Sequence, residues 1–133
     1  MPQLQNLVLT DRTPVTPVDH TFTPFEVRDN VGSVVKTTGV PIGDPRATVS
    51  MKRNGANKYK GQFRLSMPVV QDEDLSAGLP AKVVRTAYAD LTFTFDDTST
   101  EQERKNIIGM VADALDPAQT LVNDAFVKLQ GVY

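Results

Sequence analysis

The stretch "RATVSMKRNGANKYKGQFRLSMPVV", residues 46 to 70, decides the fold. From Arg46 to Lys52 the even positions are Arg, Thr, Ser and Lys, and the odd ones between them are Ala47, Val49 and Met51. A period of two is the signature of a strand with one wet and one apolar face. The next segment keeps the parity: Lys58, Lys60, Gln62, Arg64 and Ser66 alternate with Tyr59, Gly61, Phe63, Leu65 and Met67. Between them RNGAN carries the Asn-Gly signal of a hairpin turn. A five-residue turn over 53–57 sets Lys52 opposite Lys58, Ser50 opposite Lys60, Thr48 opposite Gln62 and Arg46 opposite Arg64. Two of these pairs join like charges, which destabilises a sheet by a few tenths to about 1 kcal/mol each. The stretch holds six of the 14 basic residues of a chain whose net charge is −2, and it contains no acid. A bound polyanion removes that repulsion, whereas a plain solvated face leaves it in place.

A third strand, RTAYADLTFTF, sets Thr86, Tyr88, Asp90, Thr92 and Thr94 on one side and Ala87, Ala89, Leu91, Phe93 and Phe95 on the other. An exposed Tyr88 among hydroxyls and cations suits the stacking of a base, although a tyrosine also serves to cover a neighbouring strand. Upstream the chain reads as short strands between turn residues, with a hairpin joining 4–10 to 20–28. Pro24, which has no N–H to donate, makes the second arm an edge strand. VGSVVKT, 31–37, is a further strand that runs into the loop TGVPIGDP.

Downstream the period changes. Thr100-Glu101-Gln102-Glu103 has the capping-box form, and Ile107, Ile108, Val111, Ala114 and Leu115 recur at helical spacing, ending near Asp116. Asp116-Pro117 is read as the start of a second helix, whose stripe is Leu121, Val122, Ala125, Phe126 and Leu129. Both helices need an apolar surface. With the basic face open, the odd-numbered face receives them, from the same chain or from a partner. Strands followed by two helices make an α+β chain, and 133 residues make one domain, 1–133.

Enzyme chemistry finds little support. There is no cysteine, hence no disulfide, thiolate metal site or cysteine nucleophile. The one histidine, His20, adjoins Asp19, and neighbours on a strand point to opposite faces, so no base with its orienting acid is set up and His20 is read as a plain surface residue. Asp72, Glu73 and Asp74 lack the spacing of a calcium loop and read as a solvated loop. No stretch has the length of apolar residues needed to span a membrane, and the N-terminus lacks the pattern of a secretion signal.

Three segments, "ATVSMKRNGANKYKGQFRLSMPVV", "RTAYADLTFTFDDTSTEQERK" and the ending "KLQGVY", resemble the coat proteins of the positive-strand RNA bacteriophages, the leviviruses, in particular the Q-beta-like branch. The resemblance runs over essentially the whole chain. It implies an N-terminal hairpin, a five-stranded antiparallel sheet and two helices interlocking across a homodimer. It also implies an icosahedral capsid assembled in the bacterial cytoplasm around the viral genomic RNA, with no cofactor, no membrane partner and no enzymatic activity. One dimer binds an operator stem-loop and represses replicase translation. Residue by residue, Thr48 and Ser50 match the family's adenine-pocket hydroxyls, and Gln62 stands where some relatives have threonine. Arg46, Lys52, Lys60 and Arg64 match basic sheet positions, and Lys58 belongs to the same RNA-binding strip. Tyr88 matches a stacking tyrosine, Asp90 an acidic residue of that branch, and Val31 an apolar residue beside the pocket. Q-beta carries cysteines in the loop corresponding to residues 70–83, so the cysteine-free loop here implies noncovalent contacts between capsomers. The competing reading is a cellular single-strand RNA-binding module with an open sheet.

Overall fold

A computed structural model describes residues 2–39, 41–71, 78 and 82–133. It groups into two compact units, Met1–Thr94 and Phe95–Tyr133. The acidic cluster Asp72, Glu73 and Asp74, and most of the loop that contains it, lie outside the described residues.

The first unit is built on an antiparallel sheet in chain order: β1 Leu7–Thr10, β2 Asp19–Arg28, β3 Val31–Val35, β4 Arg46–Arg53, β5 Lys58–Gln71 and β6 Lys82–Asp96. The expected hairpin plus five-stranded sheet is thus a single six-stranded sheet. The two counts meet in β2, which pairs with β1 along Asp19–Phe22 and with β3 along Thr23–Arg28. β2 is therefore not an edge strand, contrary to the expectation from Pro24. The proline is accommodated instead by position: β1 does not reach it, and the register with β3 shifts between Pro24 and Glu26, so that Phe25 is an extra residue. A missing donor is tolerated at such a bulge.

The turn between β2 and β3 is Asp29-Asn30, both at positive φ (52° and 64°), as a two-residue type I′ hairpin requires. Between β4 and β5 the register differs from the five-residue turn by two residues. Arg53 pairs with Tyr59, Lys52 with Lys60, Ser50 with Gln62, Thr48 with Arg64 and Arg46 with Ser66. The turn is tighter because Asn54 N–H donates to the Lys58 carbonyl at 2.7 Å and Gly55 takes φ +78°. A shift of two preserves every face assignment. It leaves one like-charge pair directly opposed, Lys52 and Lys60, where two were expected.

The core of this unit is Phe22, Val34 and Ala47, with Leu4, Leu7, Leu9, Phe63, Leu65 and Met67 packed against it. These sit on one face of β1 to β5, with Leu4 just before β1. Along the same face of β4, however, Val49 (53 % exposed) and Met51 (52 %) are open, so beyond Ala47 its odd positions are apolar without being buried in the single chain.

The second unit contains α1 Glu101–Ala114 and α2 Thr120–Val127. Thr100 caps α1, its side chain accepting from Glu103 N–H at 3.2 Å, and the Glu101–Lys105 pair (3.6 Å) lies one turn apart along it. α2 begins later than Asp116-Pro117 suggests. The Asp116 carboxylate accepts from Ala118 N–H at 2.9 Å and its carbonyl from Gln119 N–H at 3.0 Å, closing a turn before the helix starts. At the other end Gln130 N–H donates to the Ala125 carbonyl (3.2 Å) with Leu129 at φ 57°, a Schellman closure using leucine where glycine is usual. Neither helix has a buried residue.

Candidate nucleic-acid interface

Residues directly opposite on paired strands share a face, so the register assembles the site row by row. In one row Val31 lies opposite Ser50 and Ser50 opposite Gln62, and Gln62 Nε2 donates to Asp90 on β6 at 3.3 Å. In the next, Ser33 lies opposite Thr48 and Thr48 opposite Arg64, whose Nε is 3.2 Å from Asp90 Oδ2. Lys52 and Lys60 oppose each other on one side of these rows, and Val35, Arg46 and Ser66 line up on the other. Lys58 starts β5 at the hairpin end.

Register and side-chain contacts thus tie Val31, Arg46, Thr48, Ser50, Lys52, Lys60, Gln62, Arg64 and Asp90 to this face, and Tyr88 and Lys58 share the alternation of their strands. Val31, Thr48, Ser50 and Gln62 are half-buried, forming a small polar floor with one apolar wall. Arg46, Lys52, Lys58, Lys60 and Arg64 stand exposed around it. Tyr88 is 81 % exposed, so its ring covers no neighbouring strand.

Asp90 alters the charge balance. No acid occurs within 46–70, yet β6 brings one to Arg64, and Thr92 Oγ1 donates to the same carboxylate at 3.3 Å. Arg64 is therefore partly neutralised, whereas Lys52 and Lys60 face one another across the strands. With both partners of the Arg64–Asp90 pair at least half exposed, the pair adds little to stability, about 0–1 kcal/mol, and mainly fixes the guanidinium.

Two features escaped the sequence reading. At the bulge Phe25 stands on the polar face, the Arg46 guanidinium 5.7 Å from its ring centroid, and Glu26 is turned onto that face after it. A proline inside a strand pattern was the available signal. His20 is not a plain surface residue: its side chain is 18 % exposed, its Nε2 lies 2.8 Å from Asp11 Oδ2 and its Nδ1 2.7 Å from Lys36 Nζ. An ammonium only donates, so Nδ1 accepts and the ring proton sits on Nε2, donated to Asp11. The acid comes from the start of the β1–β2 loop, not from Asp19 next door, because a hairpin brings residue 11 back beside residue 20. Asp11 Oδ1 also accepts from Val18 N–H (2.8 Å), Thr13 N–H (2.9 Å) and Thr13 Oγ1 (2.7 Å). The His20 bond first, then these others, hold the Asp11 carboxyl well below the usual range. This network closes the β1–β2 loop. Among the described residues, no three His, Cys, Asp or Glu side chains come together as metal ligands, and no helix is long and apolar enough to cross a membrane.

An open, basic, hydroxyl-floored face on an antiparallel sheet, joined in sequence to two helices with no buried residue, defines an α+β protein built to act in an assembly. The chain belongs to the levivirus coat protein family, whose model matches residues 2–133. It is 50% identical to the capsid protein of Pseudomonas phage PRR1 over 131 residues, covering 98% of this chain and 99% of that one. Over 107 residues it is 33% identical to the capsid protein of Escherichia virus Qbeta, covering 79% and 77%. The fold resembles the virus-like particle of bacteriophage NT-214 (TM-score 0.86, 22% identity, 99% and 100% covered). It also resembles an unassembled bacteriophage coat protein dimer described as RNA-binding (TM-score 0.62, 20% identity, 98% of each chain). The protein is a homo-oligomeric capsid protein with a structural role, and the reading as a cellular RNA-binding module is set aside.

Proposed function

We propose that the chain acts as a homodimer that encloses the single-stranded RNA genome in an icosahedral shell, assembled in the host cytoplasm. On the same reading, the face described above binds an operator stem-loop and represses replicase translation. The observation that carries the RNA reading is the row geometry: Val31, Thr48, Ser50 and Gln62 form a half-buried polar floor, exposed cations surround it, and Tyr88 offers an open ring on the same sheet. Hydroxyls and an amide read a base edge, cations meet phosphate, and the ring stacks. The dimer reading rests on exposure. Helices with no buried residue and the open Val49 and Met51 are complementary needs, met when the helices of one copy lie on the sheet of another.

Filter-binding titrations with a replicase-start stem-loop and a scrambled RNA, at several salt concentrations, test this reading. Lys60→Ala weakens both RNAs and lowers the salt slope by about one counterion. Tyr88→Ala weakens the stem-loop about ten- to a hundredfold at unchanged slope, since stacking contributes about 1 to 3 kcal/mol per base. Thr48→Ala and Ser50→Ala shift discrimination between the two RNAs. Identical effects of Tyr88→Ala and Lys60→Ala on slope and selectivity would remove the proposed division of roles.

A further inference from the structure

Along β2, Phe22 and Pro24 lie on the core side, the latter paired with Val34. Simple alternation returns the chain to the core side at residue 26. The bulge interrupts it: Glu26 pairs with Ser33, a residue of the polar face, so Phe25 and Glu26 are both presented there. Phe25 is 59 % exposed, an apolar ring beside the Arg46 guanidinium. It buries nothing in the core, and its ring partner is the Arg46 guanidinium. A guanidinium held over a ring loses rotamer freedom and presents its outer plane, and bases stack on such planes as they do on aromatic rings.

We propose that Phe25 and Arg46 form a second stacking site for an unpaired nucleotide of RNA, at the opposite side of the sheet from Tyr88. β2 and β6 are four strand spacings apart, about 19 Å. A nucleotide held at Phe25–Arg46 therefore belongs to single-stranded RNA beyond the base that Tyr88 stacks. Phe25 acts partly by positioning: it fixes the plane of Arg46, whose charge then meets the adjoining phosphate. The inference rests on the RNA-face reading above and extends it to single-stranded RNA flanking a stem-loop.

The test compares full-length protein binding to oligouridylate and to a blunt RNA duplex of equal phosphate count. Phe25→Ala is expected to weaken oligouridylate binding about five- to a hundredfold with unchanged salt slope, and to leave duplex binding as it was. Phe25→Tyr retains the wild-type affinity. Arg46→Lys, which keeps the charge but loses the plane, also weakens oligouridylate more than duplex. Because Phe25 lies outside the core, thermal melting of these variants stays near wild type, and Phe25→Tyr serves as the folded control. Equal losses on both RNAs, no loss with Phe25→Ala, or an effect on shell formation alone would overturn the stacking site. Lys60→Ala separates the two readings: if it weakens both RNAs while Phe25→Ala weakens neither, only the stacking site falls, and if it weakens neither RNA, the RNA face itself falls.

Discussion

Asp90 and Asp11 show how single carboxylates set the behaviour of their surroundings. Asp90 holds Arg64 at 3.2 Å, so a phosphate arriving at Arg64 has to share it with an existing partner. Arg64→Ala is therefore expected to flatten the salt dependence of RNA binding less than Lys60→Ala does. Asp90→Asn releases the guanidinium and steepens the slope by up to about one counterion, with the gain seen on scrambled as well as cognate RNA. Filter binding across salt concentrations measures both. Asp11 works on stability. Its carboxyl is held below the ordinary aspartate value of 3.8 by His20 and the loop donors, so the unfolded chain takes up a proton at higher pH than the folded one. Its stabilising contribution is complete above that value and is lost as pH falls below it. Acid titration of thermal stability should show wild type losing stability below pH 3.8 and Asp11→Asn, already less stable at neutral pH, losing less. Amide exchange should place the difference in the β1–β2 hairpin.

Turns and caps determine the elements. The Asp29-Asn30 turn keeps both residues in the left-handed region, where a side chain without local hydrogen-bonding capacity is strained. Asn30→Ala is expected to cost about 1 kcal/mol in denaturant unfolding, and Asn30→Gly to be neutral or slightly stabilising. At α1, Thr100→Ala removes the acceptor for Glu103 N–H and costs about 1 kcal/mol if unfolding is two-state. The bulge at Phe25 is the element-scale feature with functional weight, because it changes which residues the sheet presents without changing which strands pair.

At the scale of the whole molecule, the exposed apolar residues point beyond one chain. Leu121 and Phe126 are each 68 % exposed on α2. If the helices lie on the sheet of a second copy, these side chains are buried there, and a carboxylate in their place has to be desolvated without a partner. Leu121→Asp and Phe126→Asp are expected to abolish the dimer, giving monomer or aggregate in size-exclusion chromatography and no shells by electron microscopy. Soluble dimers of normal size from both variants would count against interlocked helices.

The alternation in 46–70 and 85–95 by itself determined two-faced strands, and the apolar spacing after Thr100 determined helices, because a period of two and a period of 3.6 are local properties of the chain. Face membership of Thr48, Ser50, Gln62, Tyr88 and Asp90 followed from parity, which a register error of two residues does not disturb. What the tertiary structure decided are quantities that parity leaves open. The register of β4 on β5, an eight-pair ladder that continues into the hydrogen bond from Asn54 N–H to the Lys58 carbonyl, replaced two like-charge pairs by one. The Arg64–Asp90 pair joins residues on separate strands, and the Asp11–His20–Lys36 network joins three segments brought together by the hairpin and β3. Glu26 changed face because β2 carries a bulge directly after Pro24, where a sequence reading by alternation could only end the strand's pairing at an edge. Local pattern fixes which way a side chain points along its own strand, whereas its neighbours are fixed by hydrogen bonds between strands distant in sequence.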